Sequence, residues 1–319
     1  MAGQRPSGRG LKLDCRLFEA ELRWMVSLPN CFKSECHMAD ASVVQKIKDG
    51  GQDVADIASP AIEKLARLGY ATKGAVYILL GILSGMAAIG AGGKTTDAEG
   101  VLKAIFQQKF GGVLLAIMAL GLMGYSLWRF VQAIWDPEHR RGEWKRYVAR
   151  AAFFCSGAVH ASLALAACGM LLNYEDGGGD AAQEKTRQLM QQPFGRWLVG
   201  FVGLCIAAAA IVQFYRAYSG KFRDRLMTGG TNAAARRMIT VVGRVGLSAY
   251  GVVLGVIGCF LISAAIKYDS AEAGGVGDAL HWIGSQSYGP WLLAAVAAGL
   301  IAYGLFELVK AKYRWIRTR

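Results

Sequence analysis

Little in this 319-residue sequence carries the chemistry that enzymes and metal proteins need. It has no Ser/His/Asp order, no HExxH helix, no Gly-rich phosphate loop and no carboxylate pair inside an apolar run. Catalysis needs convergent reactive groups, so the chain reads as not an enzyme, and no cofactor is expected. Histidine is scarce, and of the 4 only His160 lies inside an apolar run. Haem in a helical bundle usually takes two axial imidazoles, so a haem ligand lacks its partner. A neutral His160 hydrogen-bonded to a neighbouring helix is the expected state. Cys36-His37 has no CxxC or HxxxH completion, which leaves no metal site. Of the 7 cysteines, Cys155, Cys168, Cys205 and Cys259 lie in apolar runs and Cys15, Cys31 and Cys36 in the polar leader. None falls in a loop where an outer-face disulfide would form.

Acidic residues are also few, 23 against 36 Lys and Arg, for a net charge of +13. Nucleic-acid binding would need those cations on one folded face. Here they are dispersed among loops, and nucleic acid is not an expected partner. What the chain has in abundance is apolar length. It is 54% hydrophobic, with 41 Gly and a positive mean hydropathy. Six apolar segments cover roughly 71–91, 112–135, 151–172, 195–215, 244–266 and 290–309. Each has about twenty residues, enough to cross ~30 Å of hydrocarbon. A soluble fold of this size could not bury six.

The cations mark one side. Ten Lys and Arg precede or include Arg67, and others crowd 136–150, 216–244 and the tail from Lys310. The remaining loops are cation-poor and carry Asp97, Glu99, Glu175, Asp176, Asp180, Glu184, Asp269, Glu272 and Asp278. By the positive-inside rule both termini are cytoplasmic, and the net charge reflects topology and attraction to anionic headgroups.

The segments repeat in pairs. Arg67 and Gly74, Arg150 and Gly157, and Arg244 and Gly251 share a seven-residue spacing. About 44 residues after each Arg comes Phe110-Gly111, Phe194-Gly195 or Tyr288-Gly289. Such a fixed period marks a repeat architecture. The expected layout is a leader over 1–59, then repeats over 60–140, 141–225 and 236–319. Two spans return the chain to its starting side, so the three hairpins run parallel, unlike inverted-repeat transporters. The fold class is all-α, polytopic, with six spans.

Finer expectations follow. Ser59-Pro60 reads as a helix start, and the leader lacks a signal-peptide pattern, with Met25 and Met38 as alternative starts. Short amphipathic pieces at 101–106, 186–190 and 279–283 read as interfacial helices stapling the outer loops to the membrane surface. The Gly of each aromatic-Gly pair should relax the returning backbone. Gly81 with Gly85 and Gly251 with Gly255 fall in GxxxG spacing, a helix-packing signal. Trp197 and Trp291 suit one interface, and Trp128, Trp135 and Trp144 the other.

The Arg-x6-Gly span, the aromatic-Gly turn, Gly121-Leu122-x-Gly124-Tyr125 with Gly299-Leu300-x-Ala302-Tyr303, and Ala311-Lys312-Tyr313-Arg314 resemble the domain-of-unknown-function 1206 family. The middle copy has Cys205 and Ala209 where its siblings have Gly and Tyr. The resemblance implies a six-span bacterial inner-membrane protein and brings no activity or site.

Intramembrane polar residues remain the place to look for function. Arg129, Gln213 and Glu307 each lie eighteen residues past their aromatic-Gly glycine, in one expected layer. The expectation is an Arg129–Glu307 pair bridged by Gln213, closing the bundle. Lys73 sits one turn into its span and should snorkel to the surface; its repeat equivalents Ser156 and Tyr250 argue against a shared role. Two functions stand open: a non-catalytic structural, assembly or stress-related factor, partnered by lipid and by another membrane protein or a second copy; or a small-solute or ion transporter. A transporter predicts a polar cavity reaching midplane, a scaffold a core filled by small and branched apolar residues. The mitochondrial carrier plan has the same hairpin count, but its Pro-x-(Asp/Glu)-x-x-(Lys/Arg) signature is absent.

Overall fold

The computed structural model describes residues 63–93, 95–135, 143–172, 181–226 and 232–314. The expectations for 1–59, for Ser59-Pro60 and for most of the 136–145 loop lie outside the described residues, as does the side chain of Trp135. Six long helices form the three hairpins: α1 Glu63–Ala88 with α3 Gly111–Trp135, α4 Glu143–Leu171 with α6 Gly195–Ser219, and α7 Ala233–Lys267 with α9 Gly289–Tyr313. All are long and apolar enough to cross a bilayer. At 35 residues α7 is ~52 Å long and overshoots ~30 Å of hydrocarbon. It begins at Ala233, well before the expected span, where Asn232 caps it by accepting from Ala235 N–H at 2.8 Å.

The distribution of side chains suits lipid. Phe154, Leu165, Phe201, Leu204 and Ile211 are exposed, whereas Lys73, Gln132 and Glu307 are buried. Between the helices lies a contiguous apolar core with Val76, Leu80, Leu115, Leu122, Ala167, Val253 and Leu300 at its centre.

The short helices α2 Ala98–Phe106, α5 Ala181–Met190 and α8 Val276–Gly284 appear where amphipathic pieces were expected. Their role differs from a surface staple. Val101, Leu102, Ala279 and Leu280 are fully buried and join the bundle core. The apolar sides of α2 and α8 therefore close the far end of the bundle, because core contact covers them more completely than an interface would. On α5, Arg187 and Gln188 donate to Glu184 and hold its carboxyl down, at about 2.

The aromatic-Gly turn also works differently from expectation. In the first two copies it is the aromatic residue that takes the left-handed conformation, φ 64 at both Phe110 and Phe194, whereas Tyr288 in the third has φ −110. The glycine is needed because a Cβ there would run into a carbonyl of the preceding short helix: Phe106 for Gly111, Leu189 for Gly195, Gly284 for Gly289. Each glycine N–H donates to a glutamine carbonyl three residues back, Gln108, Gln192 or Gln286, at 2.8, 2.9 and 2.7 Å.

The Arg-x6-Gly motif fastens one repeat to another. Arg67 donates to the Ala311 and Lys312 carbonyls at the end of α9, at 2.7 and 2.8 Å. Arg150 donates to Ala133 and Ile134 at the end of α3, at 2.5 and 2.9 Å, and Arg244 to Tyr218 at the end of α6, at 3.5 Å. In each case a guanidinium satisfies carbonyls that a helix C-terminus leaves open. The glycine one face along admits a large side chain from the same helix: Leu308 on Gly74, Phe130 on Gly157, Phe214 on Gly251. The three contacts obey one rule, and the first joins the first long helix described, α1, to the last, α9.

Within hairpins the copies diverge. In the first, α1 meets α3 with Gly69 against Tyr125 and Gly121 against Thr72; in the third, α7 meets α9 with Gly246 against Tyr303 and Gly299 against Ala249. Among the described residues α4 and α6 have no comparable interface with each other. The order of packing is α4–α3–α1–α9–α7–α6.

Candidate functional site

The close approach of α1 to α9 determines what can sit there. A Cβ on Gly74 would come 2.8 Å from the Gly304 carbonyl, and one on Gly304 2.6 Å from the Gly74 carbonyl. The neighbours Lys73 and Tyr303 are thereby carried into the interior. Lys73 does not snorkel. It is 5% exposed, and its ammonium points into the bundle. Its Nζ donates to Tyr303 Oη at 3.0 Å and to Tyr125 Oη at 3.4 Å. Four tyrosine rings surround it, with centroids at 5.7 Å (Tyr77), 5.2 Å (Tyr125), 5.8 Å (Tyr250) and 5.4 Å (Tyr303). Electron-rich faces partly replace lost hydration for a buried cation. Tyr250 stacks on Tyr303 at 4.4 Å, and Tyr77 packs edge-on to both, which fixes the cage.

Glu307, fully buried, supplies the countercharge. Its Oε1 lies 3.4 Å from Lys73 Nζ and its Oε2 2.6 Å from Lys310 Nζ. Neither oxygen receives a hydrogen bond of good geometry, so these contacts are ion pairs by proximity. Arg129 comes from the other side of Tyr125. Its guanidinium donates to Tyr125 Oη from both Nε and Nη2, and to Gln132 Oε1 at 3.0 Å.

This revises the expected layer. Arg129 and Glu307 do lie in one cluster, but the phenol of Tyr125 accepts from Arg129, and lysines pair with Glu307. Gln213 bridges nothing between them; it is half-exposed on α6 and accepts from Arg216 at 3.3 Å. His160 is buried, with Nδ1 2.8 Å from the Ser156 carbonyl. A carbonyl only accepts, so Nδ1 carries the proton. The bond is to its own helix rather than a neighbouring one, and the cross-helix contact is the Tyr125 ring at 4.5 Å. Ser126 Oγ donates to the Gly157 carbonyl at 2.8 Å and ties α3 to α4 beside it.

Lys73 and Lys310 are what sequence reasoning missed. Two signals could have found them. Lys310 lies three residues after Glu307, one helical turn on the same face. Tyr125 and Tyr303 are repeat equivalents, as are Lys73 and Tyr250. Equivalence under a rotation places unlike residues opposite one another at one depth, so differing identities are compatible with a shared site. The arrangement can fix three helices together and hold a positive charge in a dry interior. Among the described residues no group of three or more His, Cys, Asp or Glu could hold a metal ion.

Six apolar helices, lipid-type exposure and three parallel hairpins define a multi-pass membrane protein built on internal repeats. The chain belongs to the family described as Domain of Unknown Function (DUF1206), whose model matches residues 68–136, 151–220 and 245–314, one match in each hairpin. It is similar to an uncharacterized protein, YxxB, of Bacillus subtilis (strain 168), with 34% identity over 255 residues, 80% of this chain and 92% of the relative. No solved structure matches.

Proposed function

We propose that this protein is a non-catalytic structural or assembly factor of the bacterial inner membrane, with both termini cytoplasmic, in which the Lys73–Glu307–Lys310 cluster clamps α1 to α9. The observation that carries the reading is the fill of the interior. Beyond the clamp, the space between helices is occupied by Val76, Leu80, Leu115, Leu122, Val253 and Leu300 up to the capping helices α2 and α8. A solute path needs polar groups along its length, whereas an apolar plug favours a rigid body. The buried ion cluster then serves registry, the best-attested use of buried charge. Lipid is its first partner, and another membrane protein or a second copy is what a factor of this kind assembles with; nucleic acid is not.

Reconstitution into sealed vesicles tests the reading. Proton, sodium, potassium and chloride fluxes should equal those of protein-free vesicles. A flux abolished by Lys73→Met would replace this reading with the transporter alternative. Reporter fusions at both termini test the orientation, and a periplasmic C-terminus would overturn it.

A further inference from the structure

The repeat sets a tyrosine into the interior twice and omits it once. Tyr125 lies between α1 of its own hairpin, where Tyr70 packs edge-on at 5.3 Å and Lys73 donates to it, and α4 of the next repeat, where His160 packs at 4.5 Å. Tyr303 lies likewise between α7, where Tyr250 stacks on it, and α1, where Tyr77 packs edge-on and Lys73 donates to it. The third position of the set is Ala209 on α6. A ring there would lie between α4 and α7. By equivalence it would meet Ser156 on α4 and Tyr250 and Leu254 on α7. Those three residues and Ala209 all keep part of their surface uncovered.

Helix α6 nonetheless holds its ordinary place on α7. Phe214 meets Gly251 and Ala207 meets Gly258, as Leu308 meets Gly74 and Ile301 meets Gly81. What is lost is the contact of α4 with α6, so the place of the third ring is widened and opens sideways to lipid, past the exposed Cys155, Val159 and Cys205. One polar group is left over beside it. His160 is 9% exposed, and its Nδ1 donates to the Ser156 carbonyl, so Nε2 holds the lone pair. Nε2 receives no hydrogen bond from the described residues, yet it is not enclosed. Tyr125 covers the ring from α3, so the approach that remains is from the side facing α6. An acyl chain entering there would fill space but give Nε2 no donor. A ring bearing a hydroxyl gives both, as the omitted tyrosine would: aromatic packing against apolar walls and one directed hydrogen bond. We propose that the opening between α4, α6 and α7 binds a lipid-soluble phenol or hydroquinone from the bilayer, its ring in the place of the absent tyrosine side chain and its hydroxyl donating to His160 Nε2. The inference rests on neither the orientation nor the assembly reading above.

The test uses the full chain in nanodiscs of phosphatidylcholine with para-hydroxybenzophenone, a phenol that labels its neighbours on irradiation. Adducts mapped by mass spectrometry should concentrate on the facing parts of α4, α6 and α7. Added para-butylphenol should suppress them, and para-butylanisole, which has no O–H to donate, should compete about tenfold less well. His160→Phe should cost the phenol that same factor and leave competition by the anisole unchanged. Should that variant not fold, Ala209→Tyr, at an exposed position, fills the space from within and should abolish labelling there. Trp291→Phe, exposed near the start of α9, should label as the native protein does. The proposal is overturned if adducts spread evenly over the lipid-facing sides of all six long helices. It is equally overturned if the two competitors act alike on the native protein, or if His160→Phe and Ala209→Tyr both label as the native protein does.

Discussion

The first and third hairpins are sealed, and the second is open. Position by position the cause is legible. Gly69 and Gly246 admit Tyr125 and Tyr303, and Gly121 and Gly299 admit Thr72 and Ala249. The same positions in the second hairpin are Ala152, Ala209, Cys205 and Cys155, and all four are exposed. Replacing two glycines and a tyrosine therefore removes both the close approach and the side chain that would use it. What remains strong in the second hairpin is its outward fastening, α4 on α3 and α6 on α7. The comparison separates two kinds of contact: the fastening between repeats, made by Arg-x6-Gly, recurs in all three copies, and the seal within a repeat depends on Gly and Tyr.

The largest test of this difference is charge removal at equivalent positions. Glu307→Gln leaves Lys73 and Lys310 buried without a counterion and should cost about 3–5 kcal/mol of stability, read by thermal or denaturant unfolding in detergent. Gln213→Ala, eighteen residues past its own repeat glycine, should change stability by no more than ~0.5 kcal/mol. Equal losses would remove the distinction between sealed and open copies. Exchange of Arg129 and Glu307 charges should not restore the native stability, because lysines, not Arg129, pair with Glu307.

Next in size is the seal itself. A Cβ at Gly246 would lie 2.5 Å from Tyr303 backbone atoms, so Gly246→Ala should cost about 1–3 kcal/mol by overpacking. The matching enlargement in the middle copy, Ala152→Leu, meets lipid and should be silent within ~0.5 kcal/mol. A destabilisation at Ala152 as large as at Gly246 would mean that α4 and α6 do pack.

The sequence carried the hairpins, their order and their shared direction, because span length, loop charge and a fixed period are one-dimensional quantities. Part of the cluster was legible too: counting from the aromatic-Gly pair singled out Arg129 and Glu307, which meet through Tyr125 and Lys73. Azimuth was not. Gln213 has the equivalent place in its repeat but sits on a helix whose inner seal is missing, and Lys73 has unlike equivalents yet lies at the centre of the cage. Likewise the repeated Arg was visible as a mark, but its use was not, since the carbonyls it meets belong to another repeat. The capping helices were recognised by amphipathicity, which does not say whether the apolar side meets core or headgroups.

The Arg fastening gives a graded series. Arg67 and Arg150 each reach two carbonyls, and Arg244 one at 3.5 Å. Substitution by Gln should cost about 1–2 kcal/mol at the first two and a few tenths at the third. A reversed order, read by unfolding, would show that the motif acts through something other than helix-end carbonyls.

The smallest and most specific effect comes from restoring what the middle copy lost. Ala152→Gly with Ala209→Tyr recreates the Gly–Tyr contact of its siblings. If those two residues are what seals a hairpin, α4 and α6 should draw together and bring Cys155 toward Cys205, whose sibling positions touch in the first and third hairpins. Mild oxidation should then link the two thiols in the double variant and leave the parent protein largely unlinked, measured by the shift of a protease-cleaved fragment on a non-reducing gel. A parent protein that links as readily would mean the second hairpin is already closed. A double variant that stays unlinked would place the origin of the opening elsewhere than in the glycine and tyrosine that the middle copy lacks.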